Sequence, residues 1–133
     1  MSTPTYIYKI VPCTNHMPAT LPEALPVSDL DNSSGFIHMS TTHQVPGTLK
    51  RFFKDHERVY ILRVKYADVE HLVKWENSHG TAPGGVGEPD MFPHIYNDLR
   101  LGSGEIESWV EWESKGDWDE AINDAVAKKW FVY

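Results

Sequence analysis

The sequence predicts a single mixed α+β domain with several short, mostly antiparallel strands. Its 133 residues are the length of one ordinary domain. Hydrophobic residues make up 41% of the chain and aromatic residues 12%, a composition typical of a packed globular protein. Strand-like runs outnumber the two stretches with helical periodicity, and no repeat or heptad is visible. We therefore expect one domain over residues 1–133.

The first half of the chain begins with a predicted strand and a long loop. TYIYKIV at 5–11 is rich in β-branched and aromatic residues, which favour a strand. Residues 12–34 hold four prolines followed by DLDNSS, so we expect mostly loop there, with at most a short helix near 23–25. GFIHMS at 35–40 predicts a second, short strand.

A helix is predicted after that strand and reaches about Lys54. Its apolar face follows helical spacing and consists of Val45, Leu49, Phe52 and Phe53. Thr41 and Gln44 have the spacing of a capping box. Because proline is tolerated only in the first turn, Pro46 indicates that the helix begins near Val45 or is kinked there.

The second half contains four strand-like runs and a glycine-rich loop. The strands are RVYILRVK (58–65), LVKWE (72–76), FPHIY (92–96) and EIESWVEW (105–112), with a turn or short helix at ADVEH. Residues 77–90 hold four glycines and two prolines, which predicts a mobile surface loop without regular structure and a possible lid.

A C-terminal helix is predicted at the end of the chain. Asp117 and Glu120 have capping-box spacing. The apolar stripe of this helix is Trp118, Ile122, Ala125 and Val126. The predicted C-terminal extension, about 104–133, thus consists of one strand and this helix.

Charge and cysteine content exclude several classes of protein. Acidic residues outnumber basic ones 19 to 12, giving a formal charge of −7, which argues against binding to duplex nucleic acid. Cys13, the single cysteine, cannot form an internal disulfide or a paired-cysteine zinc site. The N-terminus has no secretion-signal pattern and no run of about 18 apolar residues occurs, so we expect a cytoplasmic protein that does not bind membranes.

Two histidine motifs carry the predicted chemistry. Because alternate residues of a strand share a face, Phe36, His38 and Ser40 are expected on one side of GFIHMS. The same argument groups the aromatic residues of FPHIY around His94. Rings, imidazoles and hydroxyls on one face are typical of a small-molecule cleft. The alternative is that both histidines are core residues hydrogen-bonded to backbone.

Other kinds of site have little support in the sequence. His38, His43, His94 and Glu76 have no recognised metal-ligand spacing, so we expect no metal. There is no GxSxG elbow for a serine hydrolase. GTAPGGVGEP lacks the GK[ST] ending of a phosphate-binding loop.

Several of these motifs together resemble the uncharacterised family known as domain of unknown function 952. The resemblance covers about 5–110 and rests on Tyr8-Lys9-Ile10, the Asp29 to Ser40 stretch with GFIHMST, Gln44, Phe52-Phe53, Trp75-Glu76 and FPHIY followed by Leu99. That family is grouped with the ADP-ribosyltransferase-like fold. The resemblance implies a split, antiparallel-rich sheet with flanking helices and a cleft for an NAD-type ligand between its halves.

The resemblance also implies roles for individual residues. Lys9 would stand where such enzymes keep a histidine or arginine on the first strand. GFIHMST and the following helix would match the second motif. His94 would lie near the third, where the known transferases have a glutamate or glutamine. The tail beyond about Ser114 lies outside the resemblance.

Three functions follow from these observations. The first is an enzyme that binds NAD or a related nucleotide and transfers or hydrolyses ADP-ribose or another glycosyl group. The second is a histidine-based acid-base enzyme, such as an isomerase, cyclase or hydrolase, acting on a small neutral metabolite. The third is a non-catalytic binding module. The predicted site consists of His38 and His94 as catalytic groups and of Lys9, Phe36, Ser40, Thr41, Trp75, Glu76, Phe92 and Tyr96 as ligand-binding residues.

Overall fold

The computed structural model describes residues 2–133 and confirms the mixed α+β class. Its elements are β1 (Tyr6–Pro12), α1 (Asp29–Ser34), β2 (Ile37–His38), α2 (Val45–Phe52), β3 (Arg58–Lys65), α3 (Tyr66–Val69), β4 (Val73–Glu76), β5 (Phe92–Ile95), β6 (Ile106–Glu113) and α4 (Asp119–Ala127). A 3₁₀ turn at Glu70–Leu72 joins α3 to β4. No helix within this described part is long and apolar enough to cross a membrane.

The strands form two antiparallel sheets of three strands each. The first has the order β1-β3-β6 and the second has the order β2-β5-β4. Tyr8 and Ser40 join them, since each backbone N–H donates to the other's carbonyl at 2.8 and 2.9 Å. The predicted antiparallel pairing is thus confirmed.

The central strand β3 separates two hydrophobic cores. Its interior is a continuous apolar run because both of its faces are covered. Leu62 and Val64 face the core shared with the second sheet, where Ile37 and Ile95 are fully buried. The opposite face packs against α2, α4 and the C-terminal residues, chiefly through Val59, Ile61, Leu49, Trp112, Trp118 and Phe131. The second sheet is therefore held by apolar contacts on the face away from the histidines.

The predicted loop at 12–34 is wrong at its end, because residues 29–34 form α1. Ser28 caps this helix by accepting a hydrogen bond from the Asp31 N–H at 3.1 Å. Gly35 ends it in the left-handed conformation with φ of 82°. Residues 23–25 are not helical. Ser28 and Gly35 were the sequence signals for the start and end of this helix. The polar composition of DLDNSS made the segment resemble a loop.

Neither capping box lies at the first residue of its helix, whereas the start near Val45 that Pro46 indicated is confirmed. Helix α2 begins at Val45 with Pro46 in its first turn, and Thr41 instead lies in a preceding turn where its N–H donates to the Gln44 side chain at 3.0 Å. Helix α4 begins at Asp119, where the backbone N–H donates to the Asp117 carboxylate at 2.9 Å.

The outer ends of the two predicted apolar faces were also wrong. Phe52 is 69% exposed and Val126 is 51% exposed. Helix α2 ends at Phe52, and the apolar stripe of α4 is narrower than predicted because only Ala125 of that helix is buried.

The glycine-rich segment 77–90 begins with a hydrogen-bonded turn rather than an unstructured loop. The Asn77 N–H donates to the Ala82 carbonyl at 2.9 Å, and the Gly84 N–H donates to the Trp75 carbonyl at 2.9 Å. Glu76 and Pro83 form an isolated bridge. This turn therefore continues β4 and stays close to the histidine motifs.

Candidate functional site

The register of β2 and β5 places the two predicted histidines opposite each other. His38 pairs with His94 across the ladder, and the ring centroids are 4.9 Å apart. The Phe36 ring stacks on His94 at 4.3 Å and lies 4.5 Å from His38 and 5.1 Å from the Tyr96 ring. The shared face predicted from alternation is thus confirmed, and four rings are in contact on it.

His38 is oriented by a carboxylate that the sequence analysis did not select. Its ring Nδ1 lies 2.7 Å from Asp31 Oδ1, and its backbone N–H donates to the same oxygen at 3.1 Å. Asp31 is 1% exposed and lies in the first turn of α1. An ionised carboxylate only accepts hydrogen bonds, so we assign the proton to Nδ1 of His38.

Lys9 is the counter-ion of Asp31. Its Nζ donates to Asp31 Oδ2 at 2.6 Å and to the His38 carbonyl at 3.0 Å. The Lys9 side chain is only 12% exposed, so this ion pair is shielded from water. Strand β1, helix α1 and strand β2 thus meet at one buried pair of opposite charges.

His94 has a matching carboxylate on the neighbouring strand. Its Nδ1 lies 3.0 Å from Glu76 Oε1, and the Tyr96 hydroxyl donates to the same oxygen. His94 is fully buried, and its Nε2 has no hydrogen-bond partner among residues 2–133. Assigning the Nδ1 proton to the contact with Glu76 leaves Nε2 as an unpaired acceptor.

Burial and neighbours shift the protonation of these groups. Burial lowers the pKa of His94, with the charge of His38 adding to the effect and Glu76 opposing it. Burial alone would raise the pKa of Asp31, but the hydrogen bonds from His38 and the charge of Lys9 outweigh it, so the pKa is lowered. Burial, followed by Glu76, raises the pKa of Tyr96 to about 12. At neutral pH the cluster therefore holds a neutral His94 and a protonated Tyr96.

Burial also affects the lysine of the cluster. It lowers the pKa of Lys9, while the charge and hydrogen bond of Asp31 oppose that shift. The ammonium form of Lys9 thus depends on its contact with Asp31.

The structure does not bring every predicted site residue into the cluster. Ser40 and Thr41 are buried beside β1 and α2. Trp75 donates its indole N–H to the Tyr66 hydroxyl in the apolar core. Phe92 is half-buried and pairs with Glu76 in the ladder. These four residues lie around the cluster of rings rather than within it.

The four candidate metal ligands of the sequence do not come together at one place. His43 is exposed and its ring lies 4.8 Å from Tyr133, away from the paired histidines. Within residues 2–133 no group of three histidine, cysteine or acidic side chains is placed to hold a metal ion.

Asp31 could have been found from Lys9. A lysine in the middle of an apolar strand is almost never buried without a partner. The sequence therefore called for a buried acid near TYIYKIV, and the short segment before GFIHMS supplies three acidic or amide side chains. Choosing among them required the conformation of α1.

Gly80 closes the cluster from the side of the glycine-rich segment. Its φ is +74°, and a Cβ there would lie 2.8 Å from the Phe36 ring. We expect Gly80→Ala to destabilise the protein by about 1 to 3 kcal/mol more than Gly116→Ala, because the methyl group must displace a packed ring. Gly116 has a similar φ of +88° but open space around it. Urea unfolding of both variants measures the difference, and equal losses would contradict the contact.

His94 should make stability depend on pH in a defined window. Its folded pKa lies below the ordinary value of 6.5, so the unfolded chain takes up a proton that the folded chain refuses. Stability is then complete above about pH 6.5 and falls as the pH drops below it. In His94→Gln this loss of stability below about pH 6.5 should disappear. His71→Gln, at an exposed histidine, should retain it. Unfolding midpoints between pH 7.5 and 5 measure it, and parallel curves for the wild type and His94→Gln would refute it.

Comparisons with known proteins identify the family. The profile described as "Protein of unknown function (DUF952)" matches residues 13–109. The crystal structure of CC0527 from Caulobacter crescentus is 24% identical, with a TM-score of 0.61 over 90% of this chain and 99% of that chain. Its solution NMR structure has the same identity and a TM-score of 0.64 over 92% and 98%. This likeness shows a shared fold alone, and no curated protein matches. Since the profile covers well over half of the chain, the protein belongs to the DUF952 family.

Proposed function

We propose that the protein is a general acid-base enzyme that acts on a small uncharged molecule at His38 and His94. The observation that carries the proposal is the unpaired Nε2 of the fully buried His94. Buried polar atoms are nearly always hydrogen-bonded, and an unpaired one costs about 1 to 3 kcal/mol. A substrate group that donates to Nε2 would supply the missing partner.

The two imidazoles have the form of an acid-base pair. Each has its Nδ1 held against a carboxylate. This contact fixes the ring and leaves Nε2 as the nitrogen that can exchange a proton with a substrate. Neutral His94 would accept a proton from the substrate at Nε2, and His38, once protonated on both nitrogens, would return one to the substrate from its own Nε2. Such positioned groups contribute typically 10² to 10⁴ in rate.

The charges around the histidines favour an uncharged substrate. Asp31 and Glu76 lie against the two rings, and Lys9 already neutralises Asp31. Glu76 would repel an anion, and the ammonium of Lys74, 4.4 Å from the Tyr96 ring centroid, offsets that carboxylate rather than leaving a net positive charge for an anion. The aromatic rings of Phe36 and Tyr96 suit a neutral organic molecule better.

Access to His94 requires movement of Phe36. The Phe36 side chain is 5% exposed and covers the His94 ring, while the His38 side chain is 20% exposed. Gly80 lies against the outer side of Phe36. In this proposal the turn at 77–82 and Phe36 move together and admit the substrate, and the segment 77–90 acts as the lid.

Turnover of small metabolites tests the proposal. A mixture of neutral metabolites in D₂O is incubated with the protein and followed by NMR, which detects both conversion and exchange of carbon-bound hydrogen. We expect wild type and His71→Gln to alter the same compound, and His38→Gln and His94→Gln to lose at least about 10²-fold in rate. A compound altered equally by folded His94→Gln would overturn the proposal.

A second candidate is an NAD-type ligand, with transfer or hydrolysis of ADP-ribose or another glycosyl group on an ADP-ribosyltransferase-like fold. It is favoured by a cavity of about 460 Å³ beside β1, which has the size of a site for part of such a ligand. Calorimetric titration with NAD, ADP-ribose and nicotinamide tests it. Saturable heat with NAD or ADP-ribose would support this candidate over the first, and no heat from any of the three would remove it.

A further inference from the structure

A cavity of about 460 Å³ lies between the first sheet, α1 and the chain that follows β1. Its volume falls within the range of about 300 to 1,000 Å³ that small-molecule sites occupy. Most of its wall is apolar and includes Val11, Met17, Leu25, Ile37, Leu62 and Leu101. It is a preformed space for a carbon skeleton.

This cavity is separate from the paired histidines. Ile37 lines it, whereas the neighbouring residues Phe36 and His38 belong to the opposite face of β2. The imidazole of His94 is likewise not part of its wall. A ligand in this cavity therefore requires no catalytic role of the histidines.

The polar end of the cavity is the ion pair of Lys9 and Asp31. The two charges are 2.6 Å apart and compensate each other, so the wall offers no net charge to a ligand. An ammonium group has three hydrogens, and Lys9 gives two of them to Asp31 and the His38 carbonyl. Among residues 2–133 the third hydrogen has no acceptor.

We propose that the cavity binds a neutral, largely apolar molecule with one hydroxyl or carbonyl oxygen. The apolar wall accommodates the carbon skeleton, and the oxygen accepts the third hydrogen of Lys9 Nζ. A charged ligand is disfavoured because it would have to lose its water without gaining a counter-ion.

Three isosteric probes test the chemistry of the site. 2-Phenylethanol is neutral, phenylacetate is an anion and phenethylamine is a cation. Each is titrated into methyl-labelled protein and followed by NMR at the methyl groups of Ile37, Leu62 and Leu101. We expect saturable shifts with 2-phenylethanol and at least about tenfold weaker binding of both charged analogues. No saturable shift with the alcohol, or equal or tighter binding of a charged analogue, would overturn the proposal.

A matched pair of tryptophan variants locates the binding. Met17→Trp fills the cavity and should weaken 2-phenylethanol at least about tenfold, since the ligand would have to displace the indole. Leu30→Trp adds the same ring at a residue that is 60% exposed and should leave binding unchanged. Val11→Phe replaces Met17→Trp if that variant does not fold. Unchanged binding in the folded cavity variant would place the probe elsewhere and refute the site.

Discussion

Asp31→Asn is expected to lower the free energy of unfolding by about 3 to 5 kcal/mol, the loss found when one partner of a buried ion pair is removed. Asp31 is 1% exposed and accepts hydrogen bonds from Lys9 Nζ and from the backbone N–H and ring Nδ1 of His38. The substitution leaves the ammonium of Lys9 buried without a counter-ion. An amide also cannot accept at both of its terminal atoms, so one contact becomes donor against donor.

Asp29→Asn is the matched control for this prediction. Asp29 lies in the first turn of the same helix but is exposed, so its loss should cost no more than about 0.5 kcal/mol. Urea unfolding at pH 7 measures both variants. Similar small losses of stability in the two variants would mean that Lys9 and His38 do not need Asp31 as their buried partner.

Acid unfolding should reveal the same contacts of Asp31 with Lys9 and His38. The folded pKa of Asp31 lies below its ordinary value of 3.8, so its contribution is complete above about pH 4 and is lost as the pH falls toward the folded pKa. Below pH 4 the wild type should therefore lose stability more steeply than Asp31→Asn. Parallel acid unfolding curves would contradict the lowered pKa.

Phe36→Ala is expected to cost about 3 to 5 kcal/mol of stability and to expose His94. The Phe36 ring contacts His38, His94 and Tyr96 and is 5% exposed, so its removal leaves a cavity over the His94 ring. Water and reagents can then reach Nε2. We expect carbethoxylation of His94 by diethyl pyrocarbonate, mapped by mass spectrometry, to be faster in this variant than in the wild type.

Phe52→Ala is the matched control for Phe36→Ala. Phe52 is 69% exposed at the end of α2, so its truncation should cost no more than about 0.5 kcal/mol and leave the labelling of His94 unchanged. Equal labelling of His94 in folded wild type and Phe36→Ala would contradict the role of Phe36 as its cover.

The periodicity of the strands was sufficient to find the face of the site. Because side chains alternate in a strand, His38 and His94 could be assigned to the sides of Phe36 and Tyr96 before the pairing of β2 with β5 was known. Alternation assigns each residue to a face of its own strand, and the contacts between the two strands come from their pairing. Pairing of the two short strands then needed only that both bury their apolar side.

The contacts between distant segments could not be predicted from local patterns. Asp31 is selected by the geometry of a six-residue helix that the polar composition of DLDNSS concealed. Ser40, Thr41 and Trp75 have side chains common in binding sites, but their burial away from the cluster depends on tertiary packing that local patterns do not encode. The cavity beside Lys9 is closed on one side by loop residues that have no periodicity.

The ring protonation of the histidines tests the central claim most directly. Long-range ¹H–¹⁵N correlation spectra at neutral pH distinguish a proton on Nδ1 from one on Nε2. If Glu76 orients His94 and leaves its Nε2 as the base, His94 must be neutral with its proton on Nδ1. A proton on Nε2 of His94 would remove the unpaired acceptor and contradict the proposed acid-base site.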